Sequence, residues 1–238
     1  MKNGALLFLG LFAALGFSWA GIVLGSHRQL GNLAPYYDAG SSQSFPNGFP
    51  GVAAQGNLVY RDLNCASCHT QQVRREGFGS DEARGWGTRE SVARDYIYQP
   101  YPQIGQSRNG PDLANLATRK PKAPDAARLY QLLYAGRGGM PAYAFLFETR
   151  KISGQAAEQA LVLSGSAAPA AGYEVVPTKR AEALVSYLLS LSTPYDYPEA
   201  KLPAAPAAEG KPAAAPAAKP AAPAAKPAAP AKPTEAKS

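Results

Sequence analysis

The only two cysteines of the chain are separated by two residues and followed at once by one of its two histidines, in "NCASCHTQQV" at residues 64–73. C-x-x-C-H is the attachment signature of c-type haem. The reason is geometric. Two thiols three positions apart can each form a thioether to a haem vinyl group, and the adjacent histidine then faces the iron. Three other uses of such a motif fit less well. A structural zinc site wants four N/S ligands, and beyond Cys65, Cys68 and His69 the chain offers only His27, beside an uncharged apolar run. A thioredoxin-like dithiol needs a βαβ setting, which the sequence does not display. A disulfide across two residues would constrain little of the chain. One covalently bound haem c is therefore the expected cofactor.

A six-coordinate iron needs a second axial ligand, and few residues can supply it. Besides the initiator, the only methionine is Met140, in "GRGGMPAY". A lone methionine is ordinarily core filler. This one stands between a Gly-Gly pair and a proline, downstream of a haem motif, and we read it as the distal ligand. His69 and Met140 are then the metal ligands. His/Met coordination raises the reduction potential and fills the sixth position, so the iron carries electrons and no catalytic residue is expected. A ligating histidine usually donates its other ring N–H to a carbonyl or carboxylate. Pro111, in "NGPDL" at residues 109–113, offers such a carbonyl, with an ordinary Asn-Gly-Pro turn the equal alternative. Arg74, Arg75, Arg94 and Arg108 are candidates for clamping the haem propionates.

Residues 4–25 contain no charge and are long enough to cross a bilayer as a helix. "SWA" at Ser18–Ala20 fits a signal-peptide cleavage site, but the apolar run continues through "GIVLG" and exceeds a signal core of about 7–15 residues. We expect a retained anchor over residues 1–28 and a Gly/Pro/Ser-rich juxtamembrane linker over 29–52. A monohaem cytochrome c domain, mainly α, should occupy 53–196, and a disordered Ala/Pro/Lys-rich tail 197–238. Within the domain a helix should begin near Ala53, with Gly56, Tyr60 and Leu63 on one face. "PDAARLYQLLYAG" should form another, capped by Asp125 and ended by Gly136. "SGQAAEQALVL" has a short helix-like pattern, and a loop should run through Pro177. "TKRAEALVSYLLSL" sets Ala181, Leu184, Val185, Leu188 and Leu191 on one face, with Thr178 as cap. Four of the seven net positive charges lie in the tail beyond residue 200. Elsewhere arginines alternate with acids and no aromatic-interleaved basic stripe appears, so nucleic acid is not an expected partner.

The segment from "NLVYRDLNCASCHTQQVRREGFG" through "ESVARDY" and "SRNGPDL" to "MPAYAFLF" resembles the monohaem subunit II of cbb3-type cytochrome c oxidases over roughly residues 55–148. C-x-x-C-H and G-P-D-L alone indicate a class I cytochrome c-like domain; the order and spacing of the longer blocks point to this subunit. The resemblance implies a single transmembrane helix in the bacterial inner membrane and a periplasmic cytochrome domain. It also implies a haem b/copper catalytic subunit as partner and a dihaem or soluble cytochrome c as donor. Residue by residue, Cys65 and Cys68 would hold the haem, His69 and Met140 ligate it, and Pro111 orient His69. Gly56 would let one terminal helix approach Tyr187 on the other. Where the family typically carries a Trp and a His-Leu-x-Asn-Pro stretch, this chain reads "PDAARLYQLLYAGRGG". A binuclear copper centre is excluded by the lack of spare Cys and His. The other readings are a free-standing anchored cytochrome serving another respiratory or photosynthetic complex, and an enzyme or gas sensor with an open iron site.

Overall fold

Helix α1 (Gly4–Leu30) leads the chain in the computed structural model, which describes residues 3–200. Its 27 residues span about 40 Å at ~1.5 Å each, enough to cross a hydrocarbon core of ~30 Å. Side chains such as Leu6, Phe8, Phe12 and Phe17 are all exposed, as a lipid-facing helix requires. The helix runs two residues past the expected anchor, to Leu30, and widens to π winding at Ala20–Leu24.

The Gly/Ser-rich stretch that follows carries a hairpin, β1 (Tyr36–Asp38) against antiparallel β2 (Gln43–Phe45). The Asp38 carboxylate makes the turn by accepting from the Gly40 and Ser41 amides and the Ser41 hydroxyl. An isolated two-stranded hairpin is marginal in water, so its order comes from what it packs on. Phe45 stacks on Tyr195 at 4.6 Å between ring centroids, and Tyr36 lies against Tyr195 and Tyr197. Arg89 braces that cluster from below. Its guanidinium holds Asp95 through two bonds of 2.7 and 2.9 Å, donates to the Tyr195 carbonyl and lies over the Tyr197 ring. Tyr197 is buried, so the packed domain runs on past the expected end at residue 196. The rest of the expected tail, 201–238, lies outside the described residues.

Two helices form the spine of the domain. Helix α2 (Gly51–Asp62) begins two residues before the expected start, and α4 (Lys179–Ser190) presents the expected face, with Ala181, Leu184, Val185, Leu188 and Leu191 all buried. They cross at Gly56, where an added Cβ would fall 2.6 Å from Tyr187 Cβ and closer still to the Ala183 carbonyl oxygen. Only hydrogen fits there. Helix α3 (Ala126–Ala135) has the expected cap, Asp125 accepting from the Arg128 amide at 2.8 Å. Thr178 likewise caps α4 by accepting from the Ala181 amide. Leu129 and Leu133 of α3 join Leu184 and Leu188 in one core.

Two expectations fail between α3 and α4. A second hairpin occupies this region, β3 (Phe147–Lys151) antiparallel to β4 (Tyr173–Pro177), in register from Phe147 opposite Pro177 to Lys151 opposite Tyr173. The segment before α4 is thus strand rather than loop. "SGQAAEQALVL" is not helical either; two of its amides bond to β4 instead. The Leu161 amide donates to the Val175 carbonyl, and the Ala157 amide to the Glu174 carboxylate.

Candidate functional site

Helix α2 ends where Asn64 takes the left-handed conformation, φ 54°, a geometry asparagine tolerates better than most residues. The reversal starts a tight turn, Cys65–Ser67, in which the Cys65 carbonyl accepts from both the Cys68 and His69 amides. Cys65, Cys68 and His69 are thereby gathered on one turn, and all three line a cavity of about 1060 Å³. The two cysteines are not joined in a disulfide. Burial pushes the Cys65 thiol up to about 11, the reverse of the lowered value that a redox-active dithiol needs. Among the described residues no three His, Cys, Asp or Glu side chains converge in a chelating group, as a zinc site would require.

The segment carrying "NGPDL" runs beside this turn, joined to it by backbone bonds: the Gln106 amide to the Ala66 carbonyl, Gly110 to Cys68 and Leu113 to Thr70. The pairing brings Pro111 to His69, whose Nδ1 lies 2.8 Å from the proline carbonyl oxygen. Proline has no N–H of its own to compete, and Gly110 supplies the space. A Cβ there would sit 2.6 Å from His69 Nδ1. Asp112 locks the arrangement from beneath. Fully buried, its carboxylate accepts from the Thr70 hydroxyl at 2.5 Å, the Gln72 amide at 2.8 Å and the Ala114 amide at 2.9 Å.

Met140 reaches the same cavity from a different part of the chain. Arg137 and Met140 exchange backbone hydrogen bonds across Gly138 and Gly139, both at positive φ, as the mirror-image turns require. The Tyr143 amide ties the following residues to the Leu133 carbonyl at the end of α3. Leu113, Leu116, Leu129, Leu133 and Leu188 supply much of the remaining wall. The structure thus brings Cys65, Cys68, His69, Pro111 and Met140 to one largely apolar chamber.

The four arginines offered as candidates for the propionates lie outside the cavity lining. Arg108 is spent on Asp81, at 2.5 Å, and on the Gln72 carbonyl. Arg94 pairs with Glu199, and Arg75 lies over the Phe78 ring. None of the four, Arg74 included, is among the cavity's lining residues. Arg119 is, and sequence reasoning missed it. One of its terminal nitrogens donates to the Asp112 carbonyl, while its buried Nε has no partner. Burial holds this guanidinium below its usual range. A desolvated cation with an orphaned donor in an apolar chamber calls for an anion. The chamber therefore fits haem chemically: two thiols, an oriented imidazole and a thioether for the macrocycle and iron, apolar walls for the ring, and a cation for a propionate.

No curated protein is similar enough to the chain to align with it. A family model described as "Cytochrome C oxidase, mono-heme subunit/FixO" matches residues 48–185, more than half of the sequence and the whole span from the cysteines to Met140. The apolar α1 ahead of the matched region is consistent with membrane anchoring. With the match covering Cys65, Cys68, His69, Pro111 and Met140, the chain belongs to the mono-haem subunit family of cytochrome c oxidase.

Proposed function

We propose that this protein relays single electrons within a cbb3-type oxidase, towards the haem b/copper subunit that reduces oxygen. On this reading residues 53–196 are a class I cytochrome c-like domain, held in the periplasm by α1 in the inner membrane. Cys65 and Cys68 would hold one haem c by thioethers, His69 and Met140 would supply the axial ligands, and Arg119 would meet a propionate. Bound there, haem supplies a one-electron ferric/ferrous couple. The chain's own contribution is to fix that couple. The Pro111 carbonyl, by accepting from Nδ1, sets the tautomer and ring orientation of His69. Leucine walls keep water from the chamber, and a soft neutral thioether from Met140 favours the reduced state.

The observation that carries the reading is the meeting of Cys65, Cys68, His69 and Met140 in one chamber, with His69 already hydrogen-bonded to Pro111. The test is purification from detergent-solubilised membranes, read for haem type and partners. Covalent haem should co-purify with a haem b/copper subunit, and Met140→Ala should lose the low-spin His/Met spectrum and lower the potential. Reproducible isolation without that partner, or carbon monoxide binding to the reduced native protein, would count against it.

A further inference from the structure

The rim of the haem chamber carries charge that the relay itself does not use. Its charged lining side chains are Arg119, Lys122, Asp125, Arg128 and Arg137, four cations to one carboxylate. Asp125 is engaged as the cap of α3, and Arg119 is the half-buried residue assigned above to the interior. Lys122, Arg128 and Arg137 remain, all exposed. Among the described residues these three have no carboxylate partner, so their charge faces outward uncompensated. They come from three places in the chain: the loop before α3, its first turn, and the Gly-rich turn after it. Pro124, Gly138, Gly139 and Pro141 line the same opening. Small and apolar residues within a ring of unpaired cations present a surface that a partner can approach closely and that repels a basic one.

We propose that this rim docks an electron-transfer protein whose contact surface is acidic. The inference rests on the relay reading, since it is the haem chamber that gives such a partner a reason to dock here. Complementary charge steers encounters and fixes orientation more than it adds raw affinity. Three exposed cations around one opening would bring an acidic partner to the chamber, and salt would weaken the attraction over a Debye length of ~10 Å. An anionic lipid surface shares the charge but would cover the opening instead of exchanging electrons through it.

The test uses full-length haem-loaded protein in detergent and a plant-type [2Fe–2S] ferredoxin of strongly acidic surface as probe. Both are kept oxidised, so that binding is read by calorimetry without electron transfer. The dissociation constant should rise about tenfold or more between low and high salt, and K122E/R128E/R137E should raise it about tenfold at low salt. R75E/K151E/K179E makes the same change in net charge away from the chamber and should leave binding near wild type. The milder R137Q, in an exposed turn, should weaken binding in the same direction should the triple variant fail to fold. Equal weakening by both triple variants, or unchanged binding by the rim variants, would overturn the proposal. So would rim-dependent binding to phosphatidylglycerol vesicles with none to ferredoxin. Absence of covalent haem in the wild type would instead sink the relay reading, and is scored separately by absorption.

Discussion

Replacing Gly56 by alanine tests whether the crossing of α2 and α4 is as close as described. The new Cβ would lie 2.6 Å from both Tyr187 Cβ and the Ala183 carbonyl carbon, where ordinary contact begins at 3.4 Å. The obstruction is mostly backbone of a buried helix and cannot rotate aside. With the Ala183 carbonyl oxygen closer still, the helices would have to part by roughly 1.5 Å, loosening the packing of Ala53, Tyr60, Leu184 and Tyr187. Overpacking of this kind costs about 1–3 kcal/mol, and a backbone obstruction belongs at the upper end. Alanine recovers about 1 kcal/mol of helix propensity, leaving a net loss of about 2 kcal/mol. For a domain of this size that is a fall of ~4–8 °C in Tm, measurable by circular dichroism on the haem-loaded protein. Gly51 is the internal control: it opens the same helix, is exposed, and has nothing within 4 Å of an added Cβ. Gly51→Ala should change stability by less than ~0.5 kcal/mol. A Gly56→Ala protein as stable as the Gly51→Ala protein would refute the close crossing.

Asp112→Ala would strand the donors of Thr70, Gln72 and Ala114 in the interior and should cost about 3 kcal/mol in urea denaturation. The same variant should shift the His69 ring resonances, because the loop that presents Pro111 loses its anchor. Tyr187 donates to Gln71 Oε1 at 2.9 Å, and burial raises its phenol from 10.0 to about 12. A raised phenol stabilises the fold fully below pH 10 and loses that contribution as pH climbs through about 12. Tyr187→Phe should therefore lose about 1 kcal/mol near neutrality and show a shallower alkaline decline; parallel pH curves for the two proteins would contradict this.

What could be read from the sequence was what short-range chemistry dictates. Asp125 and Thr178 were legible as caps because an N-cap needs only its own side chain and an amide three residues on. The buried face of α4 was legible because its apolar period is helical. The Cys65–His69 turn and Met140 stood out by scarcity of residue type. Strand β3 could not be seen: after Phe147 its residues Glu148, Thr149, Arg150 and Lys151 are all exposed, so no alternation marks it. The alanines of 153–163 suggested helix, yet β4, distant in sequence, claims the amides of Ala157 and Leu161. Arginine assignments were beyond reach for a similar reason. Arg108 and Arg119 look equivalent in sequence, and each keeps an unpaired Nε, but Asp81 holds Arg108 away from the chamber while Arg119 lines it.

The aromatic grip of Tyr195 and Tyr197 on the β1–β2 hairpin has a mechanical corollary. Between the last residue of α1, Leu30, and the first residue the domain holds, Ala34, whose carbonyl accepts from Arg94, only residues 31–33 remain. Three residues extend at most about 11 Å. With α1 in a bilayer, the domain is a post on a short stem rather than a bead on a long string, and it cannot travel to distant partners. Whatever exchanges electrons with it must come to the membrane surface, or already be standing beside it.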